Sequence, residues 1–361
     1  MSDRLLNISD YARAAREVLP RDVFDYYAGG ALDEVTLAEN QAAWRRLALH
    51  YRVLTGVGPR DFTTTVLGRP VSFPVLVAPT AFHKLACPEG ELATARAADT
   101  AGTCLVLSSL SNTPMERVFA GTDGPCWFQL YVYKDRGVTR SLVERAREAG
   151  AGAIVLTVDA PGWGTRERDV RNAFRLPPGI EMANLAPAGR GDFPAVEGSG
   201  LAAYVREHFE DALGFDDLDW LCGSTPLPVL VKGVCRGDDA RACLDHGAAG
   251  VVVSNHGGRQ LDTAPATCDV LPLVVEAVDG AGEVYVDGGI RRGSDVLKAL
   301  ALGARAVLVG RPVLWGLAVD GERGALAVLE ILRRELEEAM LLCGCADVGA
   351  IDRTLLGEES R

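Results

Sequence analysis

Eight times between residues 75 and 310, a short run of mostly apolar, often β-branched residues ends in a small or polar group and gives way to an amphipathic helical stretch. The apolar runs fall at 75–78, 104–108, 127–131, 153–159, 229–232, 251–254, 284–287 and 306–310. Helical spacing is expected at 89–101, 113–120, 138–149, 216–222, 238–246, 268–278, 294–302 and 324–342. A run apolar at every position has both faces buried, and buried strands separated by helices pair in parallel. Eight such units predict an α/β fold, a TIM (β/α)8 barrel with its helices outside. Gly102, Gly121, Gly150, Gly247 and Gly303 stand where helices should stop.

Two segments lie outside this rhythm. Residues 1–70 read as an N-terminal helical cap: Ser9 is positioned to cap a helix that starts at Asp10 and ends at Pro20, with further helices from Asp22 and over 33–47. The barrel then occupies 71–361 within a single structural domain. After the fourth strand a long stretch rich in Pro, Gly and Ala, about 160–226, interrupts it. Loops of that length are commonly lids, and its place beyond a strand's C-terminal end sets it over the barrel mouth.

At 361 residues and 48% hydrophobic content the chain can bury a large core, while a formal charge of −12 argues against a nucleic-acid surface. No apolar run reaches the length of a membrane span, and the N-terminus carries no secretory pattern. Nine scattered cysteines, with Cys343 and Cys345 too close for a zinc knuckle and without a second pair, read as free thiols of a cytoplasmic protein, with no metal site. The C-terminal 358–361 is no usual peroxisomal address.

Strand C-termini converge on one mouth in such a barrel. Here they offer Ser108, Gln129, Tyr131, Thr157, Asp159, Lys232, Ser254, Asp287 and Gly310-Arg311. The sixth run continues into Asn255-His256-Gly257-Gly258-Arg259, putting a titratable base and an anion clamp at one strand end. Hydroxyls and an amide suit a polar heterocycle. Glycine-bearing loops with arginines after the last two strands, Gly288-Gly289-Ile290-Arg291 and Gly310-Arg311, suit a phosphate. The residues alone therefore indicate a phosphate-containing cofactor and a small acidic substrate.

The run 254–262 resembles the fingerprint of the FMN-dependent α-hydroxy-acid oxidases and dehydrogenases. So do Asp25-Tyr26-Tyr27-Ala28, Ala78-Pro79-Thr80-Ala81, Pro88-Glu89-Gly90-Glu91, Phe128-Gln129-Leu130-Tyr131, Leu156-Thr157-Val158-Asp159, Leu230-Val231-Lys232-Gly233, Asp287-Gly288-Gly289 and Gly310-Arg311-Pro312, in that order. The resemblance implies FMN as cofactor and an L-2-hydroxy acid as substrate. It assigns His256 as the base, taking either the α-proton or the hydroxyl proton, and Asp159 as its hydrogen-bonding carboxylate. Arg166 and Arg259 would grip the substrate carboxylate, assisted by Tyr26, with Tyr131 on the substrate hydroxyl. Lys232 would face the cofactor where charge develops on reduction. Pro79, Thr80, Ala81, Ser108, Gln129, Thr157 and Ser254 would contact the ring or ribityl chain. Asp287, Gly289, Arg291, Gly310 and Arg311 would hold the ribityl hydroxyls and the phosphate. His50, His83, His208 and His246 lack such a context and read as structural or solvated.

Two departures bear on the substrate. Leu110 stands where plant-type glycolate oxidases of this family carry tryptophan, and Trp163 where a smaller apolar residue is common. Either the wall is rebuilt for a larger aliphatic or aryl acid, or the two changes compensate in volume. With no haem domain ahead of the barrel, O2 is the expected electron acceptor and H2O2 the product. A soluble dehydrogenase using a quinone or other carrier is the alternative, and a catalytically silent flavin-binding barrel the reading from another class. The resemblance also implies a homotetramer. A nicotinamide enzyme is disfavoured because no G-x-G-x-x-G follows a strand.

Overall fold

The structure, a computed structural model, describes residues 5–192 and 199–357. Three helices lead: α1 (Ile8–Val18), α2 (Arg21–Ala28) and α3 (Val35–Arg46). The α1 cap is Asn7 rather than Ser9. Asn7 Oδ1 accepts the Asp10 backbone N–H at 3.0 Å, and starting there lets Ile8 bury its side chain. An antiparallel hairpin follows, β1 (Thr64–Val66) and β2 (Arg69–Val71), at the end of the cap segment, where no strand was expected. Three-residue strands are too short for a period-2 pattern to stand out.

Eight parallel strands close the barrel in chain order. They are β3 (Val75–Val77), β4 (Leu105–Ser108), β5 (Cys126–Leu130), β6 (Ile154–Thr157), β7 (Val229–Val234), β8 (Gly250–Val253), β9 (Glu283–Val286) and β10 (Ala306–Val309). Alternate side chains divide between two cores. Val75, Val77, Leu105 and Leu107 pack outward on the helices. Leu76, Val106, Trp127, Val155, Leu230, Val252, Tyr285 and Leu308 fill the interior, where Val66 and Val71 of the hairpin join them. The hairpin thus plugs the N-terminal end of the barrel, and the open end is the C-terminal one.

Outside lie α4 (Glu91–Thr100), α5 (Met115–Phe119) and α6 (Arg136–Glu148), then α7 (Glu167–Arg171), α8 (Gly200–His208) and α9 (Phe215–Ser224) between β6 and β7, and finally α10 (Gly237–Asp245), α11 (Thr267–Val278), α12 (Gly293–Ala301) and α13 (Arg311–Cys343). Gly102, Gly150, Gly247 and Gly303 adopt the positive φ expected of helix stops, whereas Gly121 does not. The last helix begins thirteen residues earlier than the spacing predicts, at Arg311 instead of 324. It kinks at Asp320 and Gly321, and this break in its apolar periodicity hides the first half from the sequence. The insertion after β6 carries helices, not only loop, and the part of it at 193–198 lies outside the described residues, as does 358–361. No described helix is long and apolar enough to cross a membrane.

Candidate active site

The sixth barrel strand, β8, ends in a tight loop that presents His256. Its backbone is left-handed (φ 58°), as are Gly257 (63°) and Gly258 (74°). A side chain at Gly258 would come within 2.6 Å of the Leu37 backbone, so glycine is what lets the loop press against α3. A paired amide fixes the same contact. Asn40 and Asn255 exchange two 2.8 Å hydrogen bonds, Nδ2 of each donating to Oδ1 of the other. The sequence reading missed this pair because each asparagine alone looks like an ordinary polar residue. Only the fold brings them together.

His256 Nδ1 lies 2.8 Å from Asp159 Oδ1, which leaves Nε2 as the nitrogen available to a substrate. Burial pushes the imidazole below its ordinary pKa, Lys232 and Arg166 add to that, and Asp159 pulls the other way. Burial pushes the Asp159 carboxyl up, yet His256 and Lys232 outweigh it and hold it below the usual carboxylate value. The pair is therefore a neutral imidazole donating Nδ1–H to a carboxylate, with Nε2 a free base. Gln260 ties this arrangement to the insertion, its Nε2 donating to the Asp159 and Gly162 carbonyls at 2.9 Å each.

His256 opens into a cavity at the barrel mouth. Tyr26, Pro79, Thr80, Ala81, Ser108, Leu110, Gln129, Tyr131, Thr157, Trp163, Arg166, Lys232, Arg259, Asp287, Gly289, Arg291, Gly310 and Arg311 all line it. Sequence positions as distant as 26 and 311 thus meet in one space. Asp159 and Ser254 do not line it. For Asp159 this suits a carboxylate acting through His256. Ser254 is fully buried, its Oγ accepting from Lys232 Nζ at 2.9 Å and from the His256 N–H at 3.1 Å.

A polar chain crosses the cavity floor. Gln129 Oε1 accepts from Ser108 Oγ and the Ser109 N–H at 3.2 Å each, and Gln129 Nε2 donates to Thr157 Oγ1 at 3.0 Å. Lys232 Nζ lies 3.3 Å from Asp287 Oδ2. Burial pulls the ammonium down, but Asp287 and Asp159 more than offset it and hold it above its ordinary value. Asp287 Oδ1 is buried with no hydrogen-bond partner. Such a group costs about 1–3 kcal/mol unless something satisfies it.

The cationic side is equally incomplete. Arg166 is buried, its guanidinium carbon 3.6 Å from the centre of the Trp163 ring, and its Nε has no partner. Burial first, then the neighbouring Arg259, push its pKa down to about 9. Arg259 Nη1 donates to the Tyr26 and Gly29 carbonyls at 2.7 and 2.9 Å. Two guanidinium groups facing one space repel unless an anion lies between them. Arg291, pushed down to about 10 by burial, also lines the cavity. Arg311 donates to the carbonyls of Tyr27, Gly257 and Gly29 at 2.8–2.9 Å. That bracing role was not foreseen. It leaves two of the five guanidinium hydrogens for a phosphate.

An unpartnered carboxylate oxygen and a cluster of cations inside an acidic protein fit a polyol phosphate attached to a polar ring, as in FMN. The profile of the family described as FMN-dependent dehydrogenase matches residues 15–358. The chain belongs to that family. It is 52% identical over 356 residues to an L-lactate oxidase of Nostoc sp., covering 97% of this chain and 98% of the relative. Against the human 2-hydroxyacid oxidase 1 it is 50% identical over 360 residues, covering 99% and 97%. A crystal structure of mandelate oxidase with (S)-4-hydroxymandelic acid superposes with a TM-score of 0.93 at 44% identity, covering 97% of this chain and 98% of that one. The chain is thus an FMN-dependent enzyme that oxidises 2-hydroxy acids.

All nine cysteines are free. Among the described residues no group of three His, Cys, Asp or Glu side chains could hold a metal ion.

Proposed function

We propose that the substrate is an L-2-hydroxy acid with an apolar side chain, oxidised to the 2-oxo acid, and that O2 takes up the electrons to give H2O2. The observation that carries this reading is the His256–Asp159 pair at 2.8 Å opening into the same cavity as Arg166 and Arg259. The two arginines take the carboxylate, each charged hydrogen bond contributing about 1.5–3 kcal/mol. That anchoring, together with the Tyr26 and Tyr131 hydroxyls, orients the hydroxyl-bearing carbon toward His256 Nε2. His256 removes a proton there, and Asp159 stabilises the imidazolium that results. FMN, held by Asp287, Gly289, Arg291, Gly310 and Arg311, supplies the two-electron acceptor. Lys232 adds a buried positive charge on the cavity side of Asp287, favouring the gain of negative charge by whatever binds beside it.

The substituent is read from the wall. Leu110 is buried, and the Trp163 ring rests against Arg166 beside the expected carboxylate. An apolar substituent would complete this surface, whereas glycolate would leave it bare. On the same reading the enzyme works in the cytoplasm as a homotetramer. A panel of glycolate, L-lactate, longer L-2-hydroxy acids and L-mandelate, scored first by anaerobic bleaching of the flavin and then by its return in air, tests both halves. Faster bleaching by glycolate than by every substituted acid refutes the substrate. Bleached flavin that stays bleached in air, but recovers with a quinone, replaces the oxidase with a dehydrogenase.

A further inference from the structure

We propose that His83 is a positioning residue that fixes the orientation of the Thr80 hydroxyl toward the cofactor, an inference that rests on FMN occupying the cavity described above. Thr80 lines that cavity, beside Gly310, where an added side chain would come within 3.0 Å of Thr80 Cγ2. Behind it, Thr80 Oγ1 is 2.6 Å from His83 Nε2, and His83 Nδ1 is 2.9 Å from Thr94 Oγ1. The imidazole is buried, with 3% of its surface exposed.

Three anchors hold the ring where it is. The His83 backbone N–H donates to Glu91 Oε1 at 3.1 Å, and Glu91 is fully buried, accepting also from the Asn112 N–H and Thr113 Oγ1 at 2.9 Å each. Tyr27 donates its hydroxyl to the Phe82 carbonyl at 2.6 Å, fixing a residue whose own backbone is left-handed (φ 63°). Thr94, inside α4, closes the far side of the ring with its hydroxyl against Nδ1.

Burial favours the neutral ring, so one imidazole nitrogen donates and the other accepts. Thr94 and Thr80 complete the two nitrogens, and the anchored ring thereby holds the Thr80 hydroxyl in one orientation at the cavity wall. Without His83 the hydroxyl is free to turn, and the directed contact with the cavity is lost.

The experiment compares Thr80→Val, His83→Phe, His83→Gln and the Thr80→Val/His83→Phe pair. FMN affinity is read by titrating apoprotein with FMN, and the visible absorption band is read in the holoprotein. Losing one neutral hydrogen bond weakens binding about 2- to 10-fold. Thr80→Val and His83→Phe should each do so, and each should displace the absorption band. The double variant should bind no more weakly than Thr80→Val alone. His83→Gln, whose amide can reach Thr80, should recover most of the loss. Additive losses in the double variant, or a His83→Phe protein with the affinity and spectrum of the unaltered enzyme, overturn the proposal. A Thr80→Val protein indistinguishable from the unaltered one also overturns it while leaving FMN in the cavity. Only an unaltered protein that refuses FMN would remove the underlying reading as well.

Discussion

Replacing Asp159 by asparagine keeps the shape of the carboxylate and its acceptor oxygen while removing the charge, and so isolates what that charge does for His256. The geometry brackets the effect. Asp159 Oδ1 lies 2.8 Å from His256 Nδ1. A charged hydrogen bond is worth about 1.5–3 kcal/mol against about 0.5–1.5 for a neutral one, a loss of about 1 kcal/mol between the middles of the two ranges. The Coulomb term for unit charges about 4 Å apart at an effective dielectric of about 20 sets the upper end near 4 kcal/mol. At about 1.4 kcal/mol per tenfold, flavin reduction should slow between about fivefold and about a thousandfold.

The pH profile gives a second and opposite signature. Asp159 raises the His256 pKa against the downward push of burial. Without it the imidazole loses its proton at lower pH, so the acid limb of the reduction rate should move toward acid even as the plateau falls. A change that merely loosened the site would lower the plateau and leave the limb in place. Asp159 Oδ2 has no partner, so the new amide adds an unsatisfied donor costing about 1–3 kcal/mol of stability. The comparison therefore belongs well below the variant's melting temperature. Anaerobic stopped-flow reduction across pH is the assay. A plateau within threefold of the unaltered enzyme, or a limb displaced toward alkali, refutes the reasoning.

Two further perturbations follow from the same geometry. Arg166→Lys removes the guanidinium that rests on Trp163 and one bidentate donor set, so KM should rise about 10- to 150-fold for the loss of one charged hydrogen bond of about 1.5–3 kcal/mol, with FMN affinity unchanged; steady-state kinetics on the best acid of the panel checks it. Asn40→Ala leaves Asn255 without its reciprocal partner and should cost about 1–3 kcal/mol of stability in thermal melts of the apoprotein, besides slowing flavin reduction through a looser His256 loop.

The sequence disclosed the barrel because its strands are buried on both faces, and continuous apolar runs such as 251–253 can be read without knowing their partners. The strand-end chemistry was legible for the same reason: a polar group closing a buried run has the mouth to face. Features made by chance meetings of distant segments were not legible. Asn40 with Asn255, Arg311 with the carbonyls of α2 and its exit, and His83 with Thr80 and Thr94 each pair residues unremarkable in isolation. Ser254 is another such case, its Oγ meeting both Lys232 Nζ and the His256 N–H. Short or interrupted elements were also lost, the β1–β2 hairpin for lack of length and the first half of α13 for its kink at Gly321.

Whether His256 acts as a base on a substrate bound beside FMN is tested most directly by anaerobic flavin reduction in His256→Ala. General-base catalysis contributes about 10²–10⁴-fold. The variant should purify yellow, bind FMN as the unaltered enzyme does, and bleach at least about a hundredfold more slowly on adding an L-2-hydroxy acid. Bleaching at the unaltered rate, with FMN in place, would contradict that role.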